Sequence, residues 1–138
     1  MRIMAIDYGD AHTGIAISDP TGLLAGFTTV INSRRQEVVV EQVTLLAKEH
    51  GAEELVLGHP VNMDGTLGPR SEKAKAMKAL LEAGPALPVV LWDERRTTID
   101  AHNILFNSGK NAKQRKKVVD AVAASLILEG YLTFKKSH

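Results

Sequence analysis

The chain has 138 residues, a hydrophobic fraction of 44% and a formal net charge of +1. This length fits one domain, residues 1–138, that buries roughly 65 to 70% of its unfolded surface. Cysteine is absent, which excludes disulfides and thiolate metal sites. No segment resembles a signal peptide or a membrane span, so we expect a soluble cytoplasmic protein with no membrane partner. The near-neutral charge does not by itself indicate nucleic-acid binding, but a local basic patch stays open.

Residues 1–20 predict two neighbouring strands joined by a tight turn. Apolar residues occupy both faces of the first strand, as burial in the centre of a sheet requires, and Asp7 ends that run. Gly9 and Gly14 bracket the turn, where a side chain would obstruct the backbone. A carboxylate at the end of a buried strand needs a turn hydrogen bond, a basic partner or a metal ion to compensate it.

The rest of the chain alternates helices and strands. In chain order, the pattern predicts a strand at 24–31, a helix at 34–50 capped by Asn32 or Ser33 and ended by Gly51, a strand at 54–58, a helix at 71–81, a strand at 88–92, a helix from Thr97 or Thr98 to about residue 109, and an apolar helix at 120–132. Strands that alternate with helices after an initial meander predict an α/β sandwich with a mixed sheet.

Three acids interrupt apolar runs. Asp7 ends the first strand, Glu94 follows the strand at 88–92, and Asp120 lies in the last helix. The carboxyl ends of parallel strands share one edge of a sheet, and a late helix packed across that edge would bring the third acid to the same point. Clusters of oxygen ligands suit magnesium or manganese, and two such ions can activate a water and stabilise the leaving oxygen of a phosphodiester.

Each acid, taken alone, can equally be a cap, a turn former or a salt-bridge partner. The pair Asp93 and Glu94 adjoins Arg95 and Arg96, so an ordinary ion pair is open there.

The basic segment at residues 110–117 favours a metal-binding, catalytic role of the three acids over a purely structural one. Arg115, Lys116 and Lys117 stand at the start of the last helix, where the helix dipole disfavours positive charge by roughly 0.3 to 1 kcal/mol per residue. Phosphates held next to Asp120 would explain these positions. The alternative is a solvated loop that keeps the protein soluble.

Four stretches of the chain together resemble the YqgF family, also called RuvX: MRIMAIDYGDAHTGIAISD, LGHPVNMDGTLGPR, VVLWDERRTT and KKVVDAVAASLILEGYL. They cover almost the whole chain in the right order. The resemblance implies an α/β, RNase H-like fold: a five-stranded mixed sheet whose second strand is antiparallel, with helices on both faces. It also implies a metal-dependent endonuclease that acts on structured nucleic acid.

The resemblance also assigns residues. By position, the family's acidic triad, which is catalytic and binds two Mg²⁺ or Mn²⁺ ions, falls on Asp7, Glu94 and Asp120. We assign nucleic-acid contacts to Arg70, Arg95, Arg96, Arg115, Lys116 and Lys117. Two positions depart from the family pattern. Ala11 and His12 stand where members often carry lysine or arginine, and Arg96 stands where many members have an uncharged residue.

Members of the family have been assigned to maturation of the small-subunit ribosomal RNA precursor and were first proposed as Holliday-junction resolvases. Our leading hypothesis is therefore a hydrolase that processes the 5′ end of pre-16S rRNA in ribosome biogenesis. The alternatives are a Holliday-junction resolvase in DNA recombination and a nucleic-acid-binding factor without catalysis. Sugar kinases and actin-like ATPases share the first motif but need two such domains. A monomer and a homodimer are both open.

Overall fold

The computed structural model describes residues 1–19, 25–60, 64–94 and 112–137, without the side chains of residues 25, 112–120, 136 and 137. The helix predicted from Thr97 or Thr98 lies outside the described residues, as do Arg95 and Arg96.

Five strands and three helices make up the described fold. They are β1 (Arg2–Asp7), β2 (His12–Ser18), β3 (Ala25–Asn32), α1 (Gln36–His50), β4 (Ala52–His59), α2 (Pro69–Ala83), β5 (Val89–Asp93) and α3 (Ala112–Ser137). The strands form one sheet in the order β3-β2-β1-β4-β5. Strand β2 is antiparallel to both of its neighbours, whereas β1, β4 and β5 are parallel. The predicted five-stranded mixed sheet with an antiparallel second strand is confirmed.

Helices cover both faces of the sheet, as predicted. The central strand β1 shows this most clearly, because all of its apolar side chains are buried. Met4 and Ile6 face α1 and α2, where they join one hydrophobic core. Ile3 and Ala5 face α3 and join a second core on the opposite side. The two-sided apolar pattern of β1 thus reflects a strand between two layers of helices.

Helix α1 packs through Val39, Val43 and Ala47, which follow one another at four-residue spacing. Gly51 ends the helix with φ 69°, a left-handed conformation that favours glycine. The predicted caps are wrong, because β3 extends to Asn32 and the N-cap is Arg35, without a side-chain cap bond. Ser33 instead accepts a hydrogen bond from the backbone N–H of Arg35, ahead of the helix.

Helix α3 begins at Ala112, so its predicted start at Asp120 is wrong. Residues 112–117 of the basic segment form its first turns, because lysine, arginine and glutamine are good helix formers. These residues add nothing to the apolar pattern from which the start of the helix was predicted. Toward its C-terminal end, Tyr131 donates a hydrogen bond to Glu54 near the start of β4. Earlier in the helix, Ile127 lies beside Gly58 near the end of β4. Helix α3 therefore runs antiparallel to β4, and its N-terminal part lies toward the carboxyl edge of the parallel strands. None of the described helices has the length and apolar character that a membrane crossing requires.

Candidate active site

The carboxyl ends of three adjacent parallel strands bring polar side chains to one edge of the sheet. Asp7 ends β1, His59 ends β4 and Asp93 ends β5. The strand register places His59 opposite Asp93, and Glu94 follows directly in the chain. The structure thus brings the ends of β1 and β5 to the two sides of β4, as the parallel order requires.

The carboxyl group of Glu94 lies directly over Gly58. A Cβ atom at position 58 would stand 2.5 Å from Oε1 of Glu94 and 2.8 Å from Cδ1 of Ile127. Real Cβ atoms do not approach other heavy atoms so closely, so a larger residue at position 58 would displace the carboxyl group. Glycine at the end of β4 therefore makes room for Glu94 on the α3 face of the sheet.

Asp7 faces the same side of the sheet. Side chains alternate along a strand, and Ile3 and Ala5 belong to the core beneath α3, so Asp7 follows them onto that face. Its carboxyl group forms a hydrogen bond with Glu94. Two carboxyl groups can share such a bond only if one of them carries the proton.

The environment determines which carboxyl group is protonated. Burial raises the pKa of Glu94 most, and the charge of Asp7 and the hydrogen bond with it raise it further, to about 8 from 4.5. The positive charge of Arg70 opposes this rise, while Asp93 adds to it. At neutral pH and without a cation, Glu94 is therefore the protonated partner of the pair.

A divalent cation fits this pair. The donors are carboxylate oxygens, which magnesium and manganese prefer, and a bound cation would replace the proton that the pair holds without it. Among the described residues there is no group of three or more histidine, aspartate or glutamate side chains suited to a metal ion. The structure thus brings together two of the three predicted ligands.

The third predicted ligand, Asp120, lies in α3 with its side chain outside the described part. Position 120 precedes Ala124 by four residues and Ile127 by seven, and both of these side chains are buried against the sheet. At 1.5 Å of rise per residue, position 120 lies about 10 Å along the helix from Ile127, toward the carboxyl edge. Position 120 therefore lies on the same face of α3 as Ala124 and Ile127, on the side of Ile127 toward the carboxyl edge.

Among the predicted nucleic-acid contacts, the structure describes only the side chain of Arg70. This exposed residue stands in the first turn of α2, and its charge lowers the pKa of both Glu94 and Asp10. Arg115, Lys116 and Lys117 lie in the first turns of α3, with side chains outside the described part. The structure therefore connects one predicted basic contact with the carboxyl pair.

Sequence reasoning missed two features of the site. The first is the role of Gly58, although a glycine inside a strand pattern is a recognised sign of close approach. The second is the pair of His59 and Ser71, whose Nε2 and Oγ atoms lie 2.6 Å apart and tie the end of β4 to α2. Ser71 is fully buried. No sequence pattern indicates that a helical serine would bond a histidine from a neighbouring strand.

The fold and the carboxyl pair at its edge define the class as RNase H-like. RuvC from Thermus thermophilus, solved in complex with a Holliday junction substrate, aligns with a TM-score of 0.65 over 98% of this chain and 96% of that chain. The two sequences are 15% identical, so this likeness concerns the fold alone.

Sequence comparison gives the family. The RuvX family model, described as Holliday junction resolvase, matches residues 1–134. A relative from Halothermothrix orenii is 43% identical over 135 residues, which cover 98% of this chain and 96% of the relative. One from Listeria monocytogenes is 45% identical and covers 96% of this chain and 97% of the relative. Both are named "Putative pre-16S rRNA nuclease". The chain belongs to the RuvX family, as its four motifs predicted, and is a member of a family of nucleases.

Proposed function

We propose that this protein is a divalent-cation-dependent endonuclease that cuts phosphodiester bonds in structured nucleic acid. The observation that carries the proposal is the pair of Asp7 and Glu94, two carboxyl groups in contact at the carboxyl edge of the sheet. Such a pair resists double ionisation unless a cation compensates it. A purely structural pair would more simply include a basic partner.

In this proposal Asp7 and Glu94 hold the cations, and Asp120 approaches from α3 as the third ligand. When bound, two Mg²⁺ or Mn²⁺ ions would supply activation of a water and stabilisation of the leaving oxygen. Gly58 leaves the space in which the Glu94 carboxyl group lies. Ile127, packed against the same point, keeps bulk water from that side of the carboxyl group.

Basic residues hold the substrate in this proposal. Arg70 lies near enough to the carboxyl pair to lower the pKa of Glu94, so it is placed to neutralise a phosphate there. The other contacts proposed from the sequence are Arg95, Arg96, Arg115, Lys116 and Lys117. Contacts of this kind position the nucleic acid without reading its sequence.

We propose pre-16S rRNA as the substrate, because the curated relatives at 43% and 45% identity carry the name of a nuclease for it. This role requires a cytoplasmic protein. A four-way DNA junction is the second candidate, favoured by the family description and by the fold shared with RuvC. The chemistry at the phosphate is nearly the same for both, and contacts to the 2′-hydroxyl would separate them.

The test offers both substrates to the same preparation. Labelled RNA spanning the 5′ flank of 16S rRNA and a labelled four-way DNA junction are incubated with Mg²⁺ or Mn²⁺, with and without chelator, and any cut sites are mapped. We expect cuts at defined positions in the RNA that require the cation. Cuts in the junction alone would favour the resolvase. Tight binding of either substrate with no cut under any cation would favour a binding factor without catalysis.

A further inference from the structure

A second charged surface lies beside the carboxyl pair, on the α1 and α2 face of the sheet. It consists of two adjoining depressions that share Tyr8, Asp10 and Lys73 in their walls. The smaller, of about 140 Å³, also touches Arg70. The larger, of about 550 Å³, also touches Arg34 and Arg35. We name the four cations Arg34, Arg35, Arg70 and Lys73 the basic rim.

The basic rim carries more positive than negative charge. Asp10 and Glu37 are the acids in the walls of the two depressions. Lys73 pairs with Asp10 at 2.8 Å, and Arg35 pairs with Glu37 at 2.7 Å. Lys73, with smaller effects of Arg70 and Arg34, lowers the pKa of Asp10. Neither Arg34 nor Arg70 is ion-paired to a carboxylate within the part of the chain that the structure describes.

The ion pairs in the basic rim are solvent-exposed. The paired side chains of Lys73 and Asp10 are 53% and 70% exposed, and those of Arg35 and Glu37 are 71% and 65% exposed. Exposed pairs of this kind contribute little to folding stability. A phosphate group can therefore replace either acid as the partner of the cation without destabilising the fold.

The basic rim begins where the carboxyl pair ends. Tyr8 follows Asp7 directly and packs against the core beneath α1 and α2, on the face opposite the pair. Asp10 follows Asp7 by three positions in the chain, a distance of at most about 10 to 11 Å. One nucleic-acid strand advances about 3.4 Å per nucleotide along a duplex axis. Asp10, the ion-pair partner of Lys73, therefore lies within about three nucleotides of Asp7.

The turn between β1 and β2 contains no lysine or arginine, so the positive charge beside it comes from α1 and α2. We propose that the basic rim binds the phosphates of the strand flanking the cleaved bond, and that Asp10 occupies Lys73 until a phosphate takes its place. This inference rests on the proposed function, because it requires a nucleic-acid substrate. It adds a contact surface on the face of the sheet opposite α3.

Binding without cleavage tests the basic rim. Affinities for a four-way DNA junction and for a base-paired RNA are measured by fluorescence anisotropy in chelator, across a series of KCl concentrations. The variants are Lys73→Ala, the double variant Arg34→Ala with Arg35→Ala, and the triple variant that combines these three substitutions. Lys78→Ala is the matched control, because this lysine lies on the same helix and pairs with Glu82 at 3.2 Å outside the rim.

Removing one cation that binds a phosphate should make the slope of log affinity against log salt about 0.9 less steep on duplex DNA. At 0.1 M salt, this change corresponds to an affinity about eight-fold weaker. We expect the triple variant to bind two to three fewer phosphates than the wild type, and the Lys78→Ala control to bind as many. Asp10→Asn should act in the opposite direction and tighten binding, because it releases Lys73 and removes a negative charge. Thermal unfolding of each variant shows that the fold is retained.

The outcomes separate this inference from the proposed function. If the triple variant binds both probes as tightly as the wild type, the basic rim does not bind phosphates, and the nuclease proposal is unaffected. If Asp10→Asn weakens binding, the exchange of Asp10 for phosphate is wrong. If the wild type binds neither probe at low salt, both proposals fail. If cleavage occurs, rim variants should raise KM with little change in kcat, whereas variants of the carboxyl pair should lower kcat.

Discussion

Replacing Glu94 with glutamine should stabilise the cation-free protein at alkaline pH. Glutamine has nearly the same shape but cannot ionise, so the variant avoids the charge that burial and Asp7 disfavour. The pKa of Glu94 is about 8 in the folded protein, against 4.5 ordinarily. At about 1.36 kcal/mol per pH unit, this difference corresponds to roughly 5 kcal/mol. Glu94 remains partly accessible to solvent, which screens the charge. We therefore expect Glu94→Gln to raise the free energy of unfolding at alkaline pH by about 2 to 4 kcal/mol.

The pH range follows from the direction of the shift. Because the pKa of Glu94 is higher in the folded than in the unfolded protein, its contribution to stability is fully present below pH 4.5. That contribution is lost as the pH rises toward 8. Glu94→Gln and the wild type should therefore differ least near pH 4.5 and most above pH 8. Asp7→Asn should give a smaller gain, since it removes the neighbouring charge but leaves Glu94 buried.

Urea unfolding in chelator between pH 4.5 and 9 measures this difference. Glu82→Gln is the matched control, since Glu82 lies on α2 in an exposed pair with Lys78. The reasoning would be refuted if Glu94→Gln and the wild type changed in parallel over the whole range, because Glu94 would then ionise as an exposed carboxyl group does.

Three further predictions concern the neighbourhood of the pair. Gly58→Ala should abolish cation-dependent cleavage while keeping the fold, because its Cβ displaces the Glu94 carboxyl group; a variant that cuts at the wild-type rate contradicts this. Mn²⁺ binding near pH 7 should release about one proton per protein, measured by calorimetry in buffers of different ionisation enthalpy; equal proton release from Glu94→Gln would exclude Glu94 as its source. Ser71→Ala should lower the free energy of unfolding by about 1 kcal/mol, since it leaves His59 without its partner; unchanged urea unfolding would show that the 2.6 Å contact contributes nothing.

The sequence predicted the features that depend on local patterns. A run that is apolar on both faces identified β1 as central, and the parallel order of the strands then predicted that Asp7 and Glu94 would meet at one edge. No longer-range information was needed for either step. Family membership followed from the same stretches of sequence.

Features that depend on contacts between distant segments were not predicted. Lys73 and Asp10 are 63 residues apart, and nothing in the helical pattern of α2 distinguishes Lys73 from Lys78. The start of α3 was missed for a different reason, because its first turns are polar and carry no apolar periodicity. Gly58 was assigned to a strand, but its contact with Glu94 depends on the neighbouring strand β5.

The central claim is that Asp7 and Glu94 form the catalytic pair of a cation-dependent nuclease. Single-turnover cleavage of the preferred substrate in Mn²⁺ tests it most directly, with Asp7→Asn and Glu94→Gln compared against Glu82→Gln. We predict that both pair variants lose more than about 100-fold in rate, since residues that only support a metal ligand already account for about 10- to 100-fold. The Glu82→Gln control should cut as the wild type does. Cleavage by folded Asp7→Asn or Glu94→Gln at the wild-type rate would contradict the account.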